Sequence, residues 1–413
     1  MIYLDHAAAT PVDARVLEAM EPYFSHDFFN PSAAYLPAKK VAADYEAAKA
    51  TIAHAIGAKA SDLVITAGAT EANNLALNIV TKFKTVPSRD GSLAPVVTGL
   101  APSFSVVTSE NPRVAPFLNL VLYLETEHDS VRKVAERYGG VPIKVLQSGV
   151  IDLDDLRNKI TDDTELISVS LVNNELGTIQ PLAEITSMIR EIKFDRLRRG
   201  VKRQLLLHSD ASQAPSLIDI NVARLGVDLL TLNAAKVYGP KGVGALYVSH
   251  EVKLNPLTLG GGQENGLRSG TENVPGVVGF AKAMELAKEH VNGNRKKYAT
   301  WRKILLSELQ GYELVNKKHT LDNFVVLCYN GIDAERLIYL LEEKGVYVST
   351  GAACAASKGK KSHVLAAIGL SDSEIAGSLR ITMGETNSEE QIREAARLIN
   401  EAVTSEKERL RNA

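Results

Sequence analysis

Short apolar runs rich in β-branched residues alternate with stretches of helical period along most of the chain. Residues 63–66 (LVIT) read as a strand. Ala72, Leu75, Ala76 and Ile79 then recur at i, i+3, i+4 and i+7, which predicts a helix over 70–82. A strand at 118–124 and a helix at 129–138 follow. Segments at 143–146, 153–160, 166–171, 183–192, 205–208 and 229–232 continue the alternation. Repeated β–α units predict an α/β fold, with a mixed, mostly parallel sheet flanked by helices.

The end of the chain reads differently. Helical stretches at 274–290 and 299–309 lead into a strand at 324–329, a helix at 334–343, a strand at 379–383 and a charged helix at 388–410. This predicts a smaller α+β domain. The expected division is a large domain over 15–262, with 1–14 and 263–413 forming the smaller one. Two stretches resemble insertions. Residues 84–117 hold Pro87, Pro95, Pro102, Pro112 and Pro116 and read as a long surface loop. Residues 193–203 carry Lys193, Arg196, Arg198, Arg199, Lys202 and Arg203. They read as a solvated turn, or else as a docking patch for an acidic partner or an RNA.

Composition narrows the setting. A chain of 413 residues at 45% hydrophobic content can bury a large core. The net charge of −2 gives no footprint for direct nucleic-acid binding. Cys328 and Cys354 are the only cysteines, too few for a disulfide framework, so a reducing cytoplasm is expected. The N-terminal MIYLDHAAATPVD has no basic region, and Asp5 falls where a signal peptide would be apolar. No apolar run approaches the roughly 18 residues of a membrane span, so no membrane association is expected.

Candidate chemistry clusters at predicted strand ends. In LLTLNAAKVYGPKG, an apolar strand is followed by Lys236 and a Gly-Pro turn. A lysine at the mouth of a buried sheet can lose part of its hydration, and its neutral amine can then form a Schiff base. Upstream, LLLHSDASQ ends a strand in Asp210, with Gln213 three residues on. A carboxylate there can keep a pyridine nitrogen protonated. DLVITAGATEANN runs from strand through Gly68 to helix, a geometry that suits a phosphate; it equally suits an ordinary cap at Thr70 with Glu71 in the first turn. Cys354 lies in STGAACAASKGKKSH, a small-residue loop with three lysines that suits a reactive thiol. Cys328, in NFVVLCY, reads as a core cysteine. No metal-ligand set is read.

YLDHAAATPVD, TAGATEANNLA, ETEHDSV, VNNELGTIQP, HSDASQ, KVYGPKGVGALYV, GGGQENGLRSGTENVPG and STGAACAAS occur in this order. From residue 3 to about residue 395 the chain resembles the aminotransferase class V family, and within it the cysteine desulfurases. The resemblance implies a pyridoxal 5'-phosphate (PLP) enzyme of fold type I that converts L-cysteine to L-alanine. Lys236 would be the Schiff-base lysine, Asp210 the partner of the pyridine nitrogen, and His128 the group stacked on the ring. Asn174 and Gln213 would bond the phenolic oxygen, and Ala69, Thr70 and Asn233 the phosphate. Thr271 would reach the phosphate of a second copy, so a homodimer is implied. Arg380 would hold the substrate carboxylate, with Asn174 beside it. Cys354 would take the sulfur as a persulfide and pass it to an acceptor or iron–sulfur scaffold protein, or toward tRNA thiolation. The length from Cys354 to the next helix matches the long-loop group.

The pattern departs from the family at four positions. Ala235 replaces a histidine before the lysine, and Asn233 a serine. Tyr35 and Ala38 stand where histidine and glycine are common. A differently arranged phosphate cradle is expected. The alternatives are another class V activity, such as an aminotransferase or selenocysteine lyase, or a degenerate scaffold.

Overall fold

A computed structural model describes residues 1–80, 120–350 and 361–412. Its strands are β1 (Ile2–Tyr3), β2 (Leu63–Thr66), β3 (Val121–Leu124), β4 (Val141–Ile143), β5 (Leu166–Ser168), β6 (Leu206–Asp210), β7 (Leu229–Asn233), β8 (Gly244–Val248), β9 (Glu313–Leu314), β10 (Phe324–Cys328), β11 (Val346–Tyr347), β12 (Ser349–Thr350) and β13 (Ser378–Thr382).

Seven of them form one sheet in the order β2-β8-β7-β6-β5-β3-β4. The pairs from β7 through β4 are parallel, while β8 runs antiparallel to both β2 and β7. This is the expected mixed, mostly parallel α/β sheet. β5 and β6 are buried throughout, which explains their apolar runs. Buried His208 is satisfied across the sheet: it bonds Ser168 Oγ of β5 through Nδ1 (2.8 Å) and Thr231 Oγ1 of β7 through Nε2 (3.1 Å). Burial lowers the His208 pKa to about 4, so it lies neutral behind the strand ends.

A second, antiparallel sheet has the order β12-β13-β10-β9, and β1 pairs in parallel with β11. The N-terminal segment thus joins the C-terminal strands, 344 to 375 residues away: Ile2 faces Val346, and Asp5 bonds Arg380.

Three expectations need correction. The helical stretches at 274–290 and 299–309 are one 35-residue helix, Val274–Glu308. Gly293 weakens its middle by about 1 kcal/mol. Tertiary bonds offset this: Asn294 Nδ2 donates to Glu385 Oε1 (2.8 Å), and His290 Nδ1 lies 3.0 Å from Glu385 Oε2. The helix predicted at 70–82 runs Ala69–Leu77 and tightens to a 3-10 turn over Asn78–Val80; 81 and 82 lie outside the described residues. The 193–203 stretch is not simply a turn, because helix Leu182–Arg198 continues into it. Arg196 is buried against the carbonyls of Thr161 and Thr164, and Arg199 pairs with Asp162 and Asp195. Much of its charge is therefore satisfied within the chain. The loop expected at 84–117 lies outside the described residues.

Candidate active site

Parallel strands deliver their C-terminal ends to one edge of the sheet, where ligands bind in α/β folds. Asp210 ends β6, and β7 ends at Asn233, three residues before Lys236. Asn233 Oδ1 accepts from Ala235 N (3.2 Å) and so caps the 3-10 turn Ala234–Lys236. The N-terminal strap holds this turn from the other side. Thr10 donates to the Ala235 carbonyl through both N (3.2 Å) and Oγ1 (3.1 Å). Ala235 carries only a methyl side chain, but its backbone is fixed.

Lys236 Nζ donates to the carbonyls of Ala7 (2.7 Å) and Ala8 (2.6 Å). Gln213 Nε2 donates to the same Ala7 oxygen (3.0 Å). Lysine and glutamine therefore converge on one atom. The Asp210 carboxylate, buried, accepts from Ser212 N (2.9 Å) and Asn73 Nδ2 (2.8 Å).

His128 is exposed and caps helix Asp129–Arg137, its Nδ1 accepting from Ser130 N (3.1 Å). Its neighbour Glu127 is fully buried. Oε1 accepts from Ser170 N (2.6 Å), while Oε2 has no partner. Burial first, and the Asp210 charge second, push Glu127 up to about 8. At neutral pH it keeps its proton.

Arg380 is buried in β13. Its Nη2 pairs with Asp5 (2.6 Å), its Nη1 donates to the Asn174 carbonyl (3.0 Å), and its Nε is buried without a partner. The turn chemistry of the NNE stretch falls to Asn173, whose Oδ1 accepts from Glu175 N and Leu176 N; the Asn174 side chain is left half-buried beside it. Burial raises Glu175 to about 7 against a hydrogen bond from Ser362 Oγ.

The helix Ala69–Leu77 is capped by Gly68, not by Thr70. Gly68 has φ +141° and ψ 179°, a conformation that only glycine adopts readily. A Cβ on Gly244 would stand 2.8 Å from Gly68 Cα, so β8 can pass under this turn only as glycine. The first-turn N–H groups of Ala69 and Thr70 have no intrahelical acceptor. Glu71, in the same turn, is neutralised by Arg268 (3.0 Å). Thr271 is exposed on the segment entering helix Val274–Glu308.

Cys354 lies outside the described residues. The chain on either side is anchored at the site: Ser349 pairs with Arg380, Ser362 bonds Glu175, and His363 Nε2 lies 2.9 Å from the Glu127 carbonyl. Cys328 is buried in β10, and burial pushes its thiol up to about 11, as suits an inert core cysteine. Asp5, Asn73 and Glu127 are the groups that the motifs did not single out. All three sit inside those motifs, but nothing local marks them: Glu127 lies in the polar run ETEHDS and Asn73 beside Asn74, and only burial sets them apart.

The family model for aminotransferase class-V matches residues 2–90 and 118–394. The chain belongs to that family. A cysteine desulfurase IscS of Methanosarcina thermophila is 35% identical over 418 residues, covering 100% of this chain and 93% of that one. Cysteine desulfurase IscS 1 of Archaeoglobus fulgidus is 35% identical over 396 residues, covering 95% and 94%. A solved structure named NifS-like protein matches with a TM-score of 0.82 at 30% identity, covering 98% of this chain and 99% of that chain. Another, SspA in complex with cysteine, matches at 0.74 and 30%, covering 93% and 99%. The fold is that of fold type I PLP enzymes, and PLP is the cofactor of this class.

The donor set fits that cofactor. Asp210 has lone pairs left for a protonated ring nitrogen, and the Gly68 turn leaves its helix start open to a phosphate. Asn233 spends Oδ1 on its own turn, so its NH2 group is the part suited to a phosphate.

Proposed function

We propose that this chain converts L-cysteine to L-alanine and stores the sulfur as a persulfide on Cys354 for an acceptor protein. It is a PLP-dependent cysteine desulfurase of the class V family. The observation that carries the reading is the meeting of Lys236 and Gln213 on the Ala7 carbonyl, at the edge where β6 ends in Asp210.

Bound PLP would supply an electron sink for Cα as it loses its proton, next to the Cβ whose bond to sulfur breaks. The side chains do the rest. Asp210 holds the ring nitrogen, and Gln213 and Asn174 hold the phenolic oxygen. Ala69, Thr70 and Asn233 take the phosphate, and His128 covers the ring face. Arg380 would take the substrate carboxylate with guanidinium N–H groups not already held by Asp5 and the Asn174 carbonyl. Lys236 moves the Cα proton. The Cys354 thiolate attacks the substrate sulfur, the C–S bond breaks toward carbon, and that carbon takes a proton. L-cysteine and one thiol thus become L-alanine and one persulfide.

Residues 15–262 serve as the cofactor-binding body, with 1–14 and 263–413 as the part that carries Cys354. A second copy of the chain completes the site through Thr271, whose exposure leaves it free to reach a neighbour. The sulfur goes on to iron–sulfur cluster assembly or tRNA thiolation. Among the described residues no helix is long and apolar enough to cross a membrane, and a cytoplasmic setting suits a thiol carrier.

The test is PLP-loaded protein with L-cysteine and a reductant, with alanine and sulfide quantified. Equal amounts of both are expected, with neither from Lys236→Ala. Pyruvate or a transaminated product in place of alanine would overturn the reading.

A further inference from the structure

Asn73 is fully buried on helix Ala69–Leu77, the helix that starts at the Gly68 turn. Its Nδ2 donates to Asp210 Oδ2 and to Ser130 Oγ, each at 2.8 Å. An amide NH2 has two hydrogens, so both are used. Its Oδ1 is buried with no partner, so these two donations orient the amide. Ser130 Oγ accepts from Asn73, and its own proton is left for His128 Nδ1, 2.9 Å away. Ser130 N donates to the same nitrogen at 3.1 Å. A ring nitrogen that receives two donors carries no proton, so the neutral imidazole holds its hydrogen on Nε2.

We propose that Asn73 and Ser130 are positioning residues that couple the Asp210 carboxylate to His128 and hold His128 as the Nε2-protonated tautomer. This rests on the reading of Asp210 and His128 as the groups that flank the cofactor. Any proton that His128 gives or takes during the reaction then moves at Nε2, because Nδ1 is committed to Ser130. The chain of bonds has a fixed direction. Asparagine at 73 can donate both ways. Aspartate there could not donate, and would set a second charge against Asp210.

The test uses the PLP-loaded protein and the variants Ser130→Ala, Ser130→Thr, Asn73→Ala and the Ser130→Ala/Asn73→Ala pair. Long-range proton–nitrogen NMR reads the tautomer, with the His128 signal identified by its loss in His128→Gln. The expected wild-type spectrum has an unprotonated Nδ1 and a protonated Nε2. Ser130→Ala should shift it toward a mixture, and Ser130→Thr should restore it. Alanine formation should fall about ten-fold in kcat in each alanine variant, as for loss of one buried hydrogen bond to a charged or constrained partner. The double variant should be no slower than the slower single, because the residues act as one chain. A proton on Nδ1, multiplicative losses in the double variant, or Ser130→Ala with wild-type kcat and spectrum would each overturn the proposal. If Asn73→Ala does not fold, the two Ser130 variants and the spectrum decide alone. A wild-type protein that binds PLP but makes no alanine would refute the desulfurase reading, while the spectrum would still judge the hydrogen-bond chain.

Discussion

Glu127→Gln tests whether the buried Glu127 side chain holds its proton at neutral pH. Glu127 has an ordinary pKa of 4.5 and is pushed up to about 8 in the folded chain, by burial first and by Asp210 second. The folded state therefore holds a proton that the unfolded state has released across that window. For a raised carboxyl the stabilisation is complete below about pH 4.5 and is lost as the pH climbs through about 8. At 1.36 kcal/mol per pH unit, the wild type should lose roughly 4 kcal/mol between about pH 5 and pH 9 from this group alone. Glutamine cannot ionise and so contributes no slope. Its carbonyl can keep the bond from Ser170 N, while its NH2 takes the place of an oxygen that has no partner, at a cost of about 1–3 kcal/mol. Glu127→Gln should thus be the less stable protein at pH 5 and the more stable at pH 9, the two curves crossing between. The assay is urea denaturation of both PLP-loaded proteins across that range, read by tryptophan fluorescence. Parallel curves would refute the argument, because Glu127 would then titrate alike in the folded and unfolded chains.

Asp5→Asn removes the charge paired with the buried Arg380 but keeps an acceptor, so urea denaturation should show a loss on the order of 1–3 kcal/mol. Arg380→Lys loses the planar fork, and KM for L-cysteine in the alanine assay should rise about ten-fold or more with a much smaller change in kcat; a fall in kcat at constant KM would contradict the assigned role. Gly68→Ala forces alanine toward φ +141°, a strain of about 1–3 kcal/mol, and equilibrium dialysis should show weaker PLP binding even though an added Cβ meets no atom.

Elements with strong local signals were legible from sequence. The strand at 63–66 and the helix at 334–343 match their observed bounds because period, length and flanking residues agree. What failed was decided by tertiary contact. Nothing near Gly293 announces that Glu385 will tie the two halves of helix Val274–Glu308 together. Thr70 looked like a cap because hydroxyls often are, yet the turn needed Gly68 one residue before the helix, with a backbone that threonine rarely adopts. In the site, motif order led to Lys236, Asp210, Gln213, His128 and Arg380. Asp5 was read only as a break in an apolar stretch, because its partner Arg380 is 375 residues away. Asn73 looked like one of two asparagines on an amphipathic helix, and only the packing of helix Asp129–Arg137 against it reveals Ser130 as its acceptor.

The claim that matters most is that the sulfur of L-cysteine arrives on Cys354. PLP-loaded protein should be mixed with L-cysteine in the absence of reductant, quenched with an alkylating reagent and digested, and the two cysteine peptides weighed by mass spectrometry. The account predicts one or more added sulfur atoms on the Cys354 peptide, none on the Cys328 peptide, and alanine released in step. Alanine formed with no added sulfur on Cys354, or with the sulfur on Cys328, would contradict it.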